Sequence, residues 1–129
     1  MAKSSELGKS EWILMNALWE RQRGTASEMQ KELEEEYGWA YSTIKTMLDR
    51  LVDKGFVKSR RIGNVYDYSP RVKRKSAVAR VVDDVFDRVL QGSLAPFLDR
   101  LIENRRLSSE EVDELKDMLD RYSDEDESK

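Results

Sequence analysis

The chain contains no cysteine and no histidine, and each absence removes chemistry. Without cysteine there are no disulfides, no thiolate metal sites and no thiol nucleophile. Without histidine the commonest general base and zinc ligand are missing as well, which leaves only carboxylate, lysine, tyrosine and hydroxyl chemistry. Neither catalytic nor metal-binding residues are therefore expected, and no cofactor. No apolar run approaches the roughly 20 residues that span a bilayer, and residues 1–7 lack the apolar segment of a signal peptide. A soluble cytoplasmic protein with no direct membrane insertion is expected.

What is present is charge, unevenly distributed. Residues 40–80 hold eleven Lys/Arg against three acids, a net of +8, whereas residues 81–129 hold seven against fifteen, a net of −8. The overall −3 conceals this segregation. A basic segment suits a polyanion, and an acidic half faces elsewhere. With 38% charged and only 39% hydrophobic residues, part of the apolar surface is expected to be buried against a second copy rather than internally.

Local signals then order the elements. Ser10 is read as the cap of a helix over 11–23, with Trp12, Met15, Leu18 and Trp19 at helical spacing, Ile13 and Leu14 broadening the stripe, and Gly24 as its stop. Thr25 and Glu28 form a capping box for a second helix, with Met29 and Leu33 inward and Gly38 at its end. Its run Glu34-Glu35-Glu36 points around the helix rather than converging, so it is read as a solvated face. A third helix spans 40–54, with Gly55 as its left-handed cap. Its stripe Ile44, Met47, Leu48 and Leu51 turns Ser42, Thr46 and Asp49 outward, flanked by Lys45, Thr43 and Arg50. Small hydroxyls beside cations in the first turns suit a helix that enters the major groove. Asp49 stands one turn after Lys45 and can orient it.

Two alternating segments, 56–62 and 65–68, are joined by Gly63-Asn64, a two-residue hairpin signal, and Pro70 ends the second strand. Three helices followed by a hairpin carrying Arg60, Arg61 and Asn64 give a mainly α fold with a small β-hairpin wing, a winged helix-turn-helix over 7–71. The wing lies along the backbone or minor groove, with Arg60 and Arg61 meeting phosphates.

These residues carry a resemblance. Leu7, Glu11, Met15, Leu18-Trp19, Tyr41-Ser42-Thr43-Ile44, Thr46, Leu48, Arg50-Leu51 and Lys54-Gly55 resemble the BlaI/MecI family of penicillinase and methicillin-resistance repressors. The likeness runs through Tyr66 to about Tyr122 and is weak over 92–104. It implies a homodimer that binds a palindromic operator in double-stranded DNA and represses transcription, with Ser42, Thr43, Lys45 and Thr46 as recognition residues of the third helix. It also implies a membrane-embedded metalloprotease sensor that triggers cleavage in the dimerisation region, typically at Asn-Phe. This sequence departs from that pattern, with Arg100-Leu101 at the aligned position and Pro96 nearby. The C-terminal cysteines of related copper-responsive repressors are absent.

The remainder, residues 72–122, reads as a helical dimerisation region. Val78, Val82, Val85, Phe86 and Val89 make a stripe on a helix over 72–90; Leu94, Phe97, Leu98, Leu101 and Ile102 make a second; Val112, Leu115, Leu119 and Tyr122 make a third. Ser108 and Glu111 form a capping box, with Leu107 placed to staple onto Val112. Such short amphipathic helices offer too little apolar surface for an independent domain, so interdigitation with a second copy is expected. The tail 123–129 is acidic and read as disordered. Two other readings remain open: a winged-helix protein-interaction module without affinity for DNA, separated by salt-dependent duplex binding, and a carboxylate hydrolase, which needs two acids converging in a pocket.

Overall fold

Glu11 sets the start of the first helix. Its carboxylate accepts a hydrogen bond from the Gly8 amide at 2.8 Å, so α1 spans Lys9–Arg21 and begins before Ser10, the expected cap. The helix also stops earlier than Gly24. Gln22 takes the left-handed conformation (φ 75°) and its amide reaches the Leu18 carbonyl at 2.7 Å. Gly24 is instead the first residue of a two-residue strand, β1 (Gly24–Thr25), which the sequence reading did not anticipate. A Cβ at Gly24 would lie 3.0 Å from Met29 Sδ, so close packing accounts for this glycine. The computed structural model describes residues 6–127.

The expected capping box closes α2 (Ala26–Tyr37): Thr25 Oγ1 accepts from the Glu28 amide at 3.2 Å and Glu28 Oε1 accepts from the Thr25 amide at 2.9 Å. Gly38 ends it in the left-handed region. Across the turn Tyr37 and Trp39 stack at 4.9 Å, and Gln30 Nε2 donates to the Trp39 carbonyl, which fixes how α3 (Tyr41–Lys54) leaves. Gly55 at φ 87° closes α3 as read: its amide donates to the Val52 carbonyl and the next amide, Phe56, donates to Leu51. This doubled bond with Phe56 and Leu51 both buried is the Schellman arrangement.

Strands β2 (Val57–Ile62) and β3 (Val65–Pro70) form the expected hairpin, with Gly63 at φ 63° supplying the positive angle the two-residue turn requires. The sheet order is β1-β3-β2, antiparallel throughout, with Gly24 opposite Tyr68 and Arg61 opposite Tyr66. Leu14, Met15 and Leu18 of α1, Met29 and Leu33 of α2, Ile44, Met47, Leu48 and Leu51 of α3, and Phe56, Val57 and Tyr68 make one buried core. Each such apolar side chain contributes about 1.5–3 kcal/mol of transfer free energy. Glu11 is the one buried charged residue among those described, and Lys54 meets it at 2.8 Å.

The chain divides into two units, one ending at Arg80 and the other beginning at Val81. In the first, the Trp19 indole donates to the Val72 carbonyl at 2.9 Å. The helix expected over 72–90 starts later, as α4 (Arg74–Asp84), because Lys73 supplies the first accepting carbonyl, to Ala77. Its end is a π-helical segment, Val85–Val89, in which Leu90 donates to Val85, before Gln91 and Gly92 turn left-handed. The second unit continues with α5 (Ala95–Glu103) and α6 (Ser109–Glu127). The tail read as disordered from Ser123 is helical as far as Glu127, because no glycine or proline after Pro96 interrupts the helical hydrogen bonds. Ser128 and Lys129 lie outside the described residues.

Candidate nucleic-acid interface

A helix turns 100° per residue, so the buried stripe of α3 dictates what the opposite face carries. Ser42, Thr43, Thr46, Asp49 and Arg50 are all exposed there, and Tyr41 is half exposed. Ala40 occupies the cap position and offers no side-chain hydrogen bond, so the first amides of α3 lack a side-chain acceptor. Those amides and the positive end of the helix dipole suit an anionic partner. Arg50 lies close enough to Glu11 to act on it electrostatically, which places it on the flank toward the start of α1.

Lys45 stands apart from its neighbours. Its ammonium donates to both Asp49 oxygens at 2.9 Å and to the Tyr68 hydroxyl at 2.8 Å, and the same hydroxyl donates to Asp49 Oδ1 at 3.1 Å. The Tyr66 ring centroid lies 5.5 Å from the ammonium, which meets Tyr68 end-on through its hydroxyl. The bond to Tyr68, then the bonds to Asp49, raise the Lys45 pKa well above its ordinary value despite partial burial. Burial chiefly raises that of Tyr68, with Asp49 adding to the effect and Lys45 opposing it. Asp49 was legible as a partner for Lys45 from the spacing; Tyr68, 23 residues away, was not.

On the wing, Arg60, Arg61 and Asn64 are exposed. The register separates the two arginines. Arg61 pairs with Tyr66 and shares the sheet face of Tyr68, which is the face turned to α3, whereas Arg60 pairs with Asp67 on the other face. Arg61 Nε donates to the Gly63 carbonyl at 3.1 Å, which draws it toward the tip of the hairpin. Asp67 is also met by Arg23 at 3.4 Å, a cation that the pattern of the sequence did not single out because it sits in the linker before β1.

In the second unit, none of the candidate dimerisation residues is buried. Val82, Val89 and Leu119 are exposed, and Val85, Leu101, Val112 and Leu115 are half-buried. Ser108 Oγ accepts from the Glu111 amide at 3.1 Å, which is one of the two bonds of the expected capping box. Leu107 and Val112 are both half-buried. Arg100 and Leu101, the aligned processing position, lie within α5, with Arg100 exposed and 3.4 Å from Glu103. Among the described residues no helix is long and apolar enough to cross a membrane, and no three His, Cys, Asp or Glu side chains group as a metal site.

Comparison with known proteins adds to this geometry. The sequence pattern of the family described as Penicillinase repressor matches residues 7–121. The chain is 29% identical to the penicillinase repressor of Bacillus licheniformis over 122 residues, covering 95% of each chain. It is 24% identical over 119 residues to the methicillin resistance regulatory protein MecI of Mammaliicoccus sciuri, covering 92% of this chain and 97% of that one. Among solved structures, the DNA-binding domain of the repressor BlaI superposes with a TM-score of 0.51 at 31% identity, over 57% of this chain and 90% of that domain.

Proposed function

The chain belongs to the penicillinase repressor family of DNA-binding transcriptional repressors, and we propose from that premise that it works as a homodimer laid across an inverted-repeat operator in the cytoplasm. The observation that carries the reading is the outward face of α3, where Ser42, Thr43 and Thr46 stand exposed beside an uncapped helix start and a wing bearing Arg60, Arg61 and Asn64. The hydroxyls read base edges in the major groove, and Arg50 with the wing arginines holds phosphates. That the related BlaI domain binds DNA through the same fold supports this assignment.

The second unit supports the dimer. Val82, Phe86, Val89, Phe97, Ile102, Leu119 and Tyr122 leave apolar surface in water that a second copy would cover. Two joined half-site readers bind far more tightly than one, because the second engages at high effective concentration. Repression then ends when the helices of this unit are separated. If the membrane-embedded metalloprotease sensor of the family acts here, cleavage at Arg100-Leu101 requires α5 to open locally, since that bond is inside the helix.

Selection of bound duplexes from genomic fragments, followed by footprinting, tests the reading. Two half-sites one or more helical turns apart, at about 10 bp per turn, are expected; a lone half-site bound by a monomer overturns it. Changing Arg60 and Arg61 to Ala should weaken specific and unrelated duplexes alike and flatten the salt dependence by about one unit per lost contact. Thr46→Ala should mainly reduce discrimination between duplexes. A wild-type salt slope in the wing variants removes the wing from the interface.

A further inference from the structure

Lys45 flanks the face assigned to the groove, on its wing side, and the sequence alone makes it a contact to bases or phosphates. Its surroundings argue otherwise. An ammonium has three hydrogens, and acceptors for all three are already in place: two on the Asp49 carboxylate and one on the Tyr68 hydroxyl. That hydroxyl belongs to Tyr68, a residue 1% exposed in the central strand of the sheet. The cluster therefore joins the middle of α3 to the base of the wing, and Tyr66 carries it one pair further toward Arg61.

An isolated surface pair at this spacing is weak and opens readily. This one is closed on three sides, and opening it has a second consequence. A phosphate that drew Lys45 away would face the Asp49 carboxylate, 56% exposed, with its charge no longer offset.

We propose that Asp49 and the Tyr68 hydroxyl withhold Lys45 from the duplex, so that Lys45 positions the wing against α3 and Asp49 sets how many cations the protein presents to DNA. This rests on the DNA-binding reading above. The wing-side flank of the groove face is then electrically neutral, discrimination falls to Ser42, Thr43 and Thr46, and removing the Asp49 charge adds a cation that any sequence can use. Asp49 thereby keeps affinity for unrelated DNA low.

Salt series of duplex binding, with the selected operator and with an unrelated duplex, test this in the full-length protein. Asp49→Asn should steepen the slope by about one unit, the worth of one added phosphate contact, on both duplexes. The neutral double variant, Lys45→Met with Asp49→Asn, should keep the wild-type slope, and Asp49→Glu should keep it too. Circular dichroism melts accompany each variant, since a change in fold alone does not steepen a salt slope. A wild-type slope in Asp49→Asn, or a double variant flatter by about one unit, overturns the inference while leaving the DNA-binding reading intact. Absence of any salt-dependent duplex binding by the wild type overturns that reading, and this inference with it.

Discussion

Up to Arg80, each of the first three helices buries a stripe: Leu14, Met15 and Leu18, then Met29 and Leu33, then Ile44, Met47, Leu48 and Leu51. From Val81 onward the apolar residues recur with the same helical period, yet among the described residues none is buried. Pattern and outcome have separated. In the first unit a sheet closes over the helices and Tyr68 completes the core; the described residues of the second form the end of α4 with its π-helical segment, α5 and the 19-residue α6, and no strand. Periodicity thus states that a face needs covering, and not whether the same chain covers it.

The sharpest way to break this comparison is to charge the second unit. Changing Leu115 and Leu119 both to Asp puts carboxylates in the proposed interface of a dimer. Sedimentation should report a monomer, and operator affinity should fall by about 10²–10⁴, the advantage that linkage provides. The first unit should melt as in the wild type, and a truncation after Arg80 should behave likewise. A monomer with wild-type operator affinity would refute the coupling of dimer and DNA.

In the first unit the comparable probe is internal. Lys54 meets Glu11 at 2.8 Å, with the two side chains only 14% and 7% exposed, and the second Glu11 oxygen is buried without a hydrogen-bond partner. Lys54→Met leaves that buried carboxylate without its ion-pair cation and should cost about 3–5 kcal/mol, at any protein concentration. The pH dependence gives the sign. Burial raises the Glu11 pKa, but the Gly8 amide, then Lys54, outweigh it and hold the pKa below its ordinary 4.5. The wild type therefore has this contribution above that value and loses it as pH falls through the depressed one. In the variant both Lys54 contributions are lost and the folded pKa should rise above that of the wild type, so acidification should narrow the gap between the two. Thermal melts through the acid range check this, and a variant that tracks the wild-type pH profile refutes it.

The same contrast explains what the sequence disclosed. The Thr25-Glu28 box, Gly38, Gly55 and the Gly63 turn were legible because each acts within a few residues, and helical phase alone put Ser42, Thr43 and Thr46 outward. What escaped depends on distant partners. Strand β1 has two residues, too few to alternate, and exists because β3 lies beside it. Glu11 is a charged residue at a core position, tolerated because Lys54 arrives from 43 residues away. Lys45 was visible as a cation, but its attachment to Tyr68 needed the sheet in place. Gln22 adopts a conformation usually left to glycine, so Gly24 drew the helix boundary to itself.

The smallest effect sharpens the comparison furthest, because it applies one chemical change to both units. Thr25 and Ser108 each accept a hydrogen bond from the amide three residues on, at 3.2 and 3.1 Å, and each starts a helix. Replacing either by Ala removes one capping bond and should cost about 1 kcal/mol. In the first unit that loss falls on a self-contained core, so Thr25→Ala should lower its melting temperature by about 4–8 °C whatever the protein concentration. The Glu28 carboxylate, whose pKa is lowered chiefly by its bond from the Thr25 amide, should keep that bond, since the substitution leaves the backbone in place. In the second unit none of the described α6 side chains is buried, so in the proposed dimer the same loss falls on a helix ordered by its partner. Ser108→Ala should leave the first transition unmoved and appear as weaker dimerisation, most visible at low protein concentration. Concentration-series melts of the two variants decide the matter: equal concentration dependence in both would mean that the second unit holds its helices together without a second copy.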